Sequence, residues 1–234
     1  MNDCSAVLLE VIVLDAQDAA AAAAAGADRL ELVSDMAQGG LTPAAEIVQA
    51  VVRACSIPVM VMARPHARSF VYDEADMAQV REAIAVARDA GAAGIVFGAL
   101  TDEGDIHTER LEQVLHWADG LPVTFHRAFD ACRDPWQAFD VLGAYRGPVA
   151  QLLTSGAAPT ADDGAALLRR MVACSRRGEG VEPLVGSGVT VANLPTLHAV
   201  IGARQYHVGS AARIGGRFDA GIDAARIAAL RSAL

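Results

Sequence analysis

Short apolar runs alternate with longer stretches of helical periodicity from one end of the chain to the other. Apolar runs of four to eight residues are typical of strands that are buried on both faces. On this basis we predict strands at Val7–Val13, Arg29–Val33, Pro58–Ala63, Gly94–Leu100, Pro122–Phe129, Ala150–Thr154, Pro183–Gly186 and Gln205–Val208. Helices are predicted between them, at Ala16–Ala25, Pro43–Cys55, Glu74–Ala90, Thr108–Trp117, Pro135–Gly143, Ala161–Arg176, Val191–Val200 and Ala220–Leu234.

Several predicted helices carry local start and stop signals. Thr42-Pro43 and Asp134-Pro135 each offer a side-chain cap followed by a proline, which suits the first helical position. Gly26, Gly91 and Gly202 stand where helices should end. These signals divide the chain into repeated strand–helix units.

About eight such units, without a visible break, indicate an α/β protein with a parallel sheet. The 234 residues match the length of a (β/α)₈ TIM barrel, and we predict one domain over 1–234. A doubly wound open sheet is the alternative. It would usually carry a glycine-rich loop after the first strand, where this chain has Val13-Leu14-Asp15.

Composition and charge limit the kinds of binding partner that we expect for this protein. The chain is 53% hydrophobic and 20% charged, with a formal net charge of −9. Such a charge repels nucleic acid and anionic membranes, so we expect neither as a partner. The apolar run Ala19–Ala25 is too short to span a bilayer. A small anionic molecule stays possible as a ligand, because local arginines and backbone N–H groups can override the net charge.

The cysteines and most histidines give no metal-binding pattern. No C-x-x-C pair occurs among the scattered residues Cys4, Cys55, Cys132 and Cys174. Reduced thiols and an N-terminus without a basic region predict a cytoplasmic protein without a signal peptide. No metal spacing links His66, His107, His116 and His198.

Charged residues at the predicted strand ends are the main candidates for catalysis, because a barrel brings those ends to one face. They are Glu10, Glu31, Arg64, His126, Arg127 and Asp130. Strand-end carboxylates and histidine suit acid–base work, and arginine suits a bound carboxylate or phosphate.

Each candidate also has a structural alternative. Glu10 could form a salt bridge with an arginine of the barrel, and Glu31 has the same two readings. His126 could be a satisfied core histidine, and Asp130 a loop carboxylate or helix cap. Arg127 should point away from His126 if the strand alternates regularly, so the sequence leaves open whether it faces the barrel interior.

Glycine-rich ends of the last strands predict a phosphate cradle. Gly186-Ser187-Gly188 follows the seventh predicted strand and Gly209-Ser210 follows the eighth. Barrels often bind phosphate between these two loops through backbone N–H groups. Thr154-Ser155, at the end of the sixth strand, is a further candidate for binding. The alternative is a pair of tight turns without a ligand, and His207 either flanks the cradle or packs.

These residues, in this order, resemble the CutC family of copper homeostasis proteins. The resemblance rests on pieces spread over nearly the whole chain, namely Leu9-Glu10-Val11, Gly26–Leu32, Gly39-Gly40-Leu41-Thr42-Pro43, Arg64-Pro65, Thr124–Asp130, Leu153–Gly156 and Gly186–Val189. It implies a cytoplasmic (β/α)₈ barrel, commonly a homo-oligomer, that handles copper. Family members often carry cysteines, as Cu(I) ligands, at the positions of Ile12 and Val33. Their absence disfavours copper binding here.

Three functions follow as hypotheses. The first is an enzyme acting on a small anionic molecule, with a phosphorylated one as a candidate. The second is a copper-binding homeostasis protein, with copper as the cofactor that the resemblance implies. The third is a barrel that binds a partner without catalysis. The strand-end cluster favours the first.

Overall fold

The computed structural model describes residues 7–234, and the predicted features at Cys4 and the N-terminus lie outside them. Eight parallel strands form a closed barrel in chain order, each hydrogen-bonded to its neighbours, with β1 also paired to β8. This confirms the predicted (β/α)₈ TIM barrel. The strands are β1 Leu8–Val13, β2 Arg29–Leu32, β3 Val59–Met62, β4 Gly94–Phe97, β5 Val123–Phe125, β6 Val149–Thr154, β7 Glu182–Val185 and β8 Gln205–Val208.

A helix follows every strand and packs on the outside of the barrel. The helices are α1 Ala16–Ala24, α2 Ala45–Ala54, α3 Glu74–Ala90, α4 Thr108–Ala118, α5 Pro135–Gly143, α6 Ala165–Arg176, α7 Leu194–Ile201 and α8 Ala224–Ser232. None of these described helices combines the length and the apolar character that crossing a bilayer requires.

Three of the predicted helix signals hold, and one is wrong. Asp134 caps α5 by accepting from the N–H groups of Trp136 and Gln137, with Pro135 at the first turn. Gly91 and Gly202 end α3 and α7 in the left-handed conformation. Thr42 does not cap α2, which starts two residues beyond Pro43. The Thr42 hydroxyl instead accepts a hydrogen bond from the N–H of Arg64, tying the β2 loop to the end of β3.

Several elements are shorter than predicted. β4 ends at Phe97 and β5 at Phe125, and a 3₁₀ turn over Arg127–Ala131 takes the place of the predicted end of β5. The helices α6, α7 and α8 begin three to four residues later than expected, at Ala165, Leu194 and Ala224.

Apolar packing occurs in two separate layers. The larger cluster fills the space between the barrel and the helices. A small one occupies the upper barrel interior, and it comprises Ile12, Val33, Met60, Met62 and Val96. Below this small cluster the interior is polar, with hydrogen bonds that join Arg29 to Gln205 and Gln151 to Thr124. The barrel core therefore carries charge directly beneath the carboxyl ends of its strands.

Candidate functional site

A cavity of about 660 Å³ opens at the carboxyl ends of the strands. Its wall combines charged groups, glycine-rich loops and apolar side chains. The residues that line it are Ile12, Glu31, Val33, Met36, Gln38, Gly39, Met62, Arg64, Phe70, His126, Arg127, Asp130, Ala131, Leu153, Ser187, Gly188, Val189, Thr190, His207, Val208, Gly209, Ser210 and Phe218. Its size and position suit a small-molecule ligand.

A buried charged cluster forms the floor of this cavity. Glu10 on β1 is flanked in register by Arg29 on β2 and His207 on β8. The Arg29 Nε donates to Glu10 Oε2, and His207 Nδ1 lies 2.8 Å from Glu10 Oε1. On its other side, His207 Nε2 lies 3.8 Å from Oε2 of Glu31, which is 2% exposed. The second oxygen of Glu31, Oε1, has no hydrogen-bond partner among the described residues.

The electrostatics divide the two glutamates. Burial opposes the ionisation of both, and it raises the pKa of Glu31 to about 7. At Glu10 the guanidinium of Arg29 and the imidazole of His207 outweigh burial, so the pKa of Glu10 is lowered. Burial also disfavours a charged His207, but Glu31 and Glu10 together raise the pKa of His207. Glu10 is thus held as an anion, and Glu31, which titrates near neutral pH, lies beside a His207 whose pKa is raised.

The donor atoms of Glu10, Glu31 and His207 lie within 4.8 Å of one another, so the set is also the place to ask whether a metal fits. Its donors are carboxylate oxygen and imidazole nitrogen, whereas Cu(I) prefers thiolate and thioether sulfur. None of the described cysteines, Cys55, Cys132 and Cys174, lines the cavity. The set therefore does not fit Cu(I), and Glu10 is already engaged by Arg29.

His126 lies three strands around the barrel from Glu31, one residue past β5. It is 3% exposed, and its Nδ1 accepts a hydrogen bond of 3.1 Å from the N–H of Ala128. Its Nε2 is buried without a partner among the described residues. Desolvation and the charge of Arg64 lower the pKa of His126 to about 3. The ring is a neutral group that lines the cavity.

Arg127 and Asp130 lie on the 3₁₀ turn that follows His126. Arg127 is directed to the rim of the cavity, with its side chain 43% exposed and its Nε 2.8 Å from Asp130 Oδ2. Asp130 also accepts from the Thr154 hydroxyl at 2.5 Å and from the N–H of Ala157 at 3.0 Å. Asp130 therefore holds the β6 loop, including Ala157 at a φ of 55°, and positions Arg127.

Arg64 extends from the end of β3 toward the β2 loop. Its Nη1 donates to the carbonyl oxygens of Gln38, Gly39 and Gly40 at 3.1–3.2 Å. Its guanidinium lies 4.9 Å from the centre of the Phe70 ring. The carbonyl oxygens satisfy hydrogen bonds but carry no full charge, so the positive charge of Arg64 still acts on the cavity.

The β7 and β8 loops form the remaining wall. Ser187 and Gly188 both have a φ of 72°, a left-handed turn that exposes successive N–H groups. The N–H groups of Gly188, Val189 and Gly209 donate to no acceptor among the described residues. The Ser187 hydroxyl donates to the carbonyl of Pro159, which leaves the backbone as the polar surface of this loop.

The structure brings most predicted site residues to the cavity and sets some behind it. Those that line it are Glu31, Arg64, His126, Arg127, Asp130, Ser187, Gly188, Gly209 and Ser210. Glu10 lies below the cavity, and Thr154 and Ser155 are fully buried beside Asp130. Gly186 leaves room for Leu153, whose side chain would meet a Cβ there at 2.6 Å.

His207 is the cavity residue whose role the sequence left undecided. Its apolar neighbours on the last strand are equally consistent with a histidine that only packs. In the structure it lies between Glu10 and Glu31 and contacts both. The predicted barrel could have identified this contact, because closing the barrel pairs β8 with β1 and places His207 beside Glu10. Phe70 and Phe218, which line the cavity from loops, carry no comparable sequence signal.

Comparisons with known proteins agree with this geometry. The CutC family model matches residues 7–212. A copper homeostasis protein cutC homolog of Homo sapiens is 37% identical over 200 residues, which are 86% of this chain and 72% of that protein. A CutC family protein of Enterobacter sp. (strain 638) is 39% identical over 188 residues, covering 80% of this chain and 74% of its own length.

Solved structures show the same fold. The crystal structure of CutC from Streptococcus agalactiae superposes with a TM-score of 0.79 at 28% identity, covering 87% of this chain and 98% of that one. Phosphoribosylanthranilate isomerase from Thermotoga maritima gives a TM-score of 0.64 at 12% identity, covering 97% of each chain. At that identity the second likeness concerns the barrel alone.

Proposed function

Since the chain belongs to the CutC family of copper homeostasis proteins, we propose that it is a family member whose barrel acts as an enzyme on a small anionic molecule. The observation that carries the proposal is the buried Glu31, with one unpartnered carboxylate oxygen in a cavity of ligand size. An unpaired buried carboxylate is costly, and such groups concentrate at sites that use them.

Glu31 and His207 supply the proton transfer. Burial raises the pKa of Glu31 to about 7, which is where a general acid–base group is most effective at neutral pH. His207 lies 3.8 Å from Glu31 and is oriented from below by Glu10, so it can take or return the proton of Glu31. Arg29 keeps Glu10 ionised and thereby fixes the orientation of the ring.

Positive charge and free N–H groups supply the anion site. Arg64 and Arg127 stand on one side of the cavity, and the N–H groups of Gly188, Val189 and Gly209 stand on the other. Backbone N–H groups that have no acceptor within the protein can bind phosphate even where no cationic side chain belongs to the same loop. A phosphorylated molecule satisfies both sides, and we propose it as the substrate class.

Inorganic phosphate tests the anion site. Amide chemical shifts of Gly188, Val189 and Gly209 should change with saturation as phosphate is added, and Arg127→Met should weaken that binding about fivefold or more. Arg133, which pairs with Asp105 on the surface away from the cavity, provides the matched control Arg133→Met. Unchanged amide shifts at high phosphate would show that the loops hold no anion.

Turnover is tested separately, with a mixture of phosphorylated metabolites followed by mass spectrometry. The wild-type protein should deplete at least one compound that the Glu31→Gln variant leaves intact. An exposed glutamate on α3 supplies the control Glu82→Gln, which should behave as the wild type. Equal depletion by both Glu31→Gln and the wild type would remove Glu31 from the reaction.

Copper binding is the competing function, and the donor set argues against it in this chain. The cavity positions where family relatives often carry cysteines hold Ile12 and Val33, and the sulfur that remains is the thioether of Met36 and Met62. Titration of the reduced protein with Cu(I) against a competing chelator should give micromolar or weaker binding. Tighter binding that Met36→Leu and Met62→Leu abolish would restore the copper function.

A further inference from the structure

The side chain of His126 has a single free function, that of a hydrogen-bond donor. Because its Nδ1 accepts from the N–H of Ala128, the neutral ring must carry its proton on Nε2. That Nε2–H is buried and has no acceptor among the described residues, although the residue lines the cavity. A buried donor without a partner is destabilising unless a ligand supplies the acceptor.

The surroundings keep His126 neutral. The ring centres of Phe70 and Phe125 lie 5.3 Å and 6.2 Å from that of His126. None of the described carboxylates forms an ion pair with it, and the nearby charge is the positive one of Arg64. His126 therefore neither carries charge to an anion nor serves as a base, and it remains a donor of one hydrogen bond.

The barrel makes specific room for this ring. Gly98 follows β4 beside His126, and a Cβ on Gly98 would lie 2.4 Å from His126 Nδ1. A glycine at that point lets the imidazole lean over the neighbouring strand end. The position of the Nε2–H is thus fixed by the backbone of two strands and by the N–H of Ala128.

Building on the proposed function, we infer that the substrate presents a carbonyl oxygen to His126, and that the reaction is proton transfer at the carbon next to that carbonyl. Glu31 lies on β2 and His126 after β5, three strands apart around the closed barrel, so a ligand can lie between them. A carbonyl is what makes a neighbouring C–H acidic enough for a carboxylate to remove its proton.

The step balances without an oxidant or a second substrate. The carboxylate of Glu31 takes the proton, and the electron pair of the broken C–H bond forms a C=C bond. The π electrons of the carbonyl move onto oxygen, which accepts the hydrogen bond of His126 Nε2–H as its negative charge develops. Return of the proton to the same carbon gives exchange or epimerisation. Where that carbon also carries a hydroxyl group, the hydroxyl proton passes to the former carbonyl oxygen, a new carbonyl forms at that carbon, and Glu31 returns its proton to the former carbonyl carbon, which gives an isomer.

Two phosphorylated probes separate this inference from the proposed function. Phosphoglycolohydroxamate mimics the planar enediolate, whereas glycerol 3-phosphate carries the same phosphate without a carbonyl. Calorimetry on the wild-type protein should show the hydroxamate binding at least about tenfold more tightly. Equal affinities would overturn the inference and leave the anion site standing, while no binding of either probe would overturn both.

Variants assign the preference to His126. His126→Leu should reduce the affinity for the hydroxamate about tenfold or more and leave glycerol 3-phosphate binding unchanged. His126→Gln, whose amide can donate from a similar position, should retain part of the preference, and His116→Leu on the outer face of α4 should retain all of it. Full preference in His126→Leu would exclude the assigned role.

Exchange of substrate hydrogen with solvent tests the chemical step itself. Dihydroxyacetone phosphate incubated with the wild-type protein in D₂O should gain deuterium at the carbon beside its carbonyl. The exchange should be lost in Glu31→Gln and reduced in His126→Leu. Exchange at the same rate in both variants as in the wild type would contradict the inference.

Discussion

Glu31 is buried with an incomplete set of hydrogen bonds, so its ionised form destabilises the folded protein. Folded Glu31 keeps its proton up to about pH 7, whereas the unfolded chain releases it near the ordinary value of 4.5. The folded state therefore binds more protons between these values, and Glu31 lowers the free energy of unfolding as the pH rises through that window. The raised pKa of His207 acts in the same direction, because folded His207 also keeps its proton to a higher pH than the unfolded chain does.

We expect Glu31→Gln to remove this dependence. At about pH 8 the variant should be more stable than the wild type, by on the order of 1 to 3 kcal/mol, and at about pH 4 the difference should shrink. Urea unfolding at the two pH values measures it, with Glu82→Gln as a control whose effect should not vary. A stability difference that is the same at both pH values would show that Glu31 ionises normally.

For single residues, the sequence predicts which of them lie at the cavity better than it predicts what each of them does. Polar residues at the ends of apolar runs indicated Glu31, Arg64 and His126, all of which line the cavity. The role of Glu10 stayed open, because a salt bridge to Arg29 depends on the register of two strands far apart in sequence. The direction of Arg127 depends on a 3₁₀ turn that strand alternation does not predict.

Gly98 shows how one strand end determines the position of a cavity-lining side chain on the neighbouring strand. Replacement by alanine places a Cβ 2.4 Å from Nδ1 and 2.7 Å from Cε1 of His126, a contact that the ring must move to relieve. Because His126 is held by the N–H of Ala128, its displacement also breaks that hydrogen bond.

Gly98→Ala should therefore destabilise the protein by about 1 to 3 kcal/mol and remove the preference for the hydroxamate probe. Chemical unfolding and calorimetry measure the two effects. Gly221→Ala is the matched control, since no atom lies within 4 Å of a Cβ there and its φ is unstrained. A Gly98→Ala variant with wild-type stability and wild-type preference would mean that the ring is not confined.

Asp130 organises the loop after β6 rather than contributing an exposed charge. Asp130→Asn replaces one carboxylate oxygen with an amide donor, which then faces the N–H donors of Ser155 and Ala157 or the guanidinium of Arg127. We expect a loss of about 1 to 3 kcal/mol in the free energy of unfolding, measured in urea.

Weaker phosphate binding should accompany that loss, because Arg127 would no longer be held at the rim. The exposed Asp102 supplies the control Asp102→Asn, for which neither change is expected. Unaltered phosphate binding in a destabilised Asp130→Asn variant would separate the loop from the anion site.

Element boundaries were less predictable than the elements themselves. The order of strands and helices followed from apolar runs and helical periodicity. The early end of β5 did not, because the apolar residues Phe125 and Phe129 suit a strand that continues to Phe129. In the structure the His126 side chain accepts a hydrogen bond from the N–H of Ala128 and caps a 3₁₀ helix instead. A helix cap formed by a residue at the end of a predicted strand leaves no recognisable pattern in the sequence.

Polar side chains join the first and last strands where the barrel closes, and we call them the polar seam. Arg29 on β2 donates to Glu10 on β1 and to Gln205 on β8, so that one guanidinium joins three strands. The barrel shape was predictable from repeated strand–helix units, whereas this seam was not, since closure itself brings residues 176 positions apart into contact.

Arg29→Leu should destabilise the whole molecule by about 3 to 5 kcal/mol, because it leaves Glu10 as a buried anion with only His207 beside it. Adding Glu10→Gln removes the charge and should recover part of the loss. The free energies of unfolding of the single and double variants measure this. No recovery in the double variant would mean that the loss comes from packing and not from charge.

Ile12 and Val33 give the cavity an upper wall of hydrocarbon where a thiol would be open to covalent attack. Alkylating electrophiles and thiophilic ions such as mercury act on thiolates, and the three cysteines in the described part of the chain stand outside the cavity. Burial raises the pKa of the Cys132 thiol to about 12, which keeps it unreactive. Such reagents therefore find no thiol in the cavity, whereas a barrel with cysteines at these two positions would expose one to them.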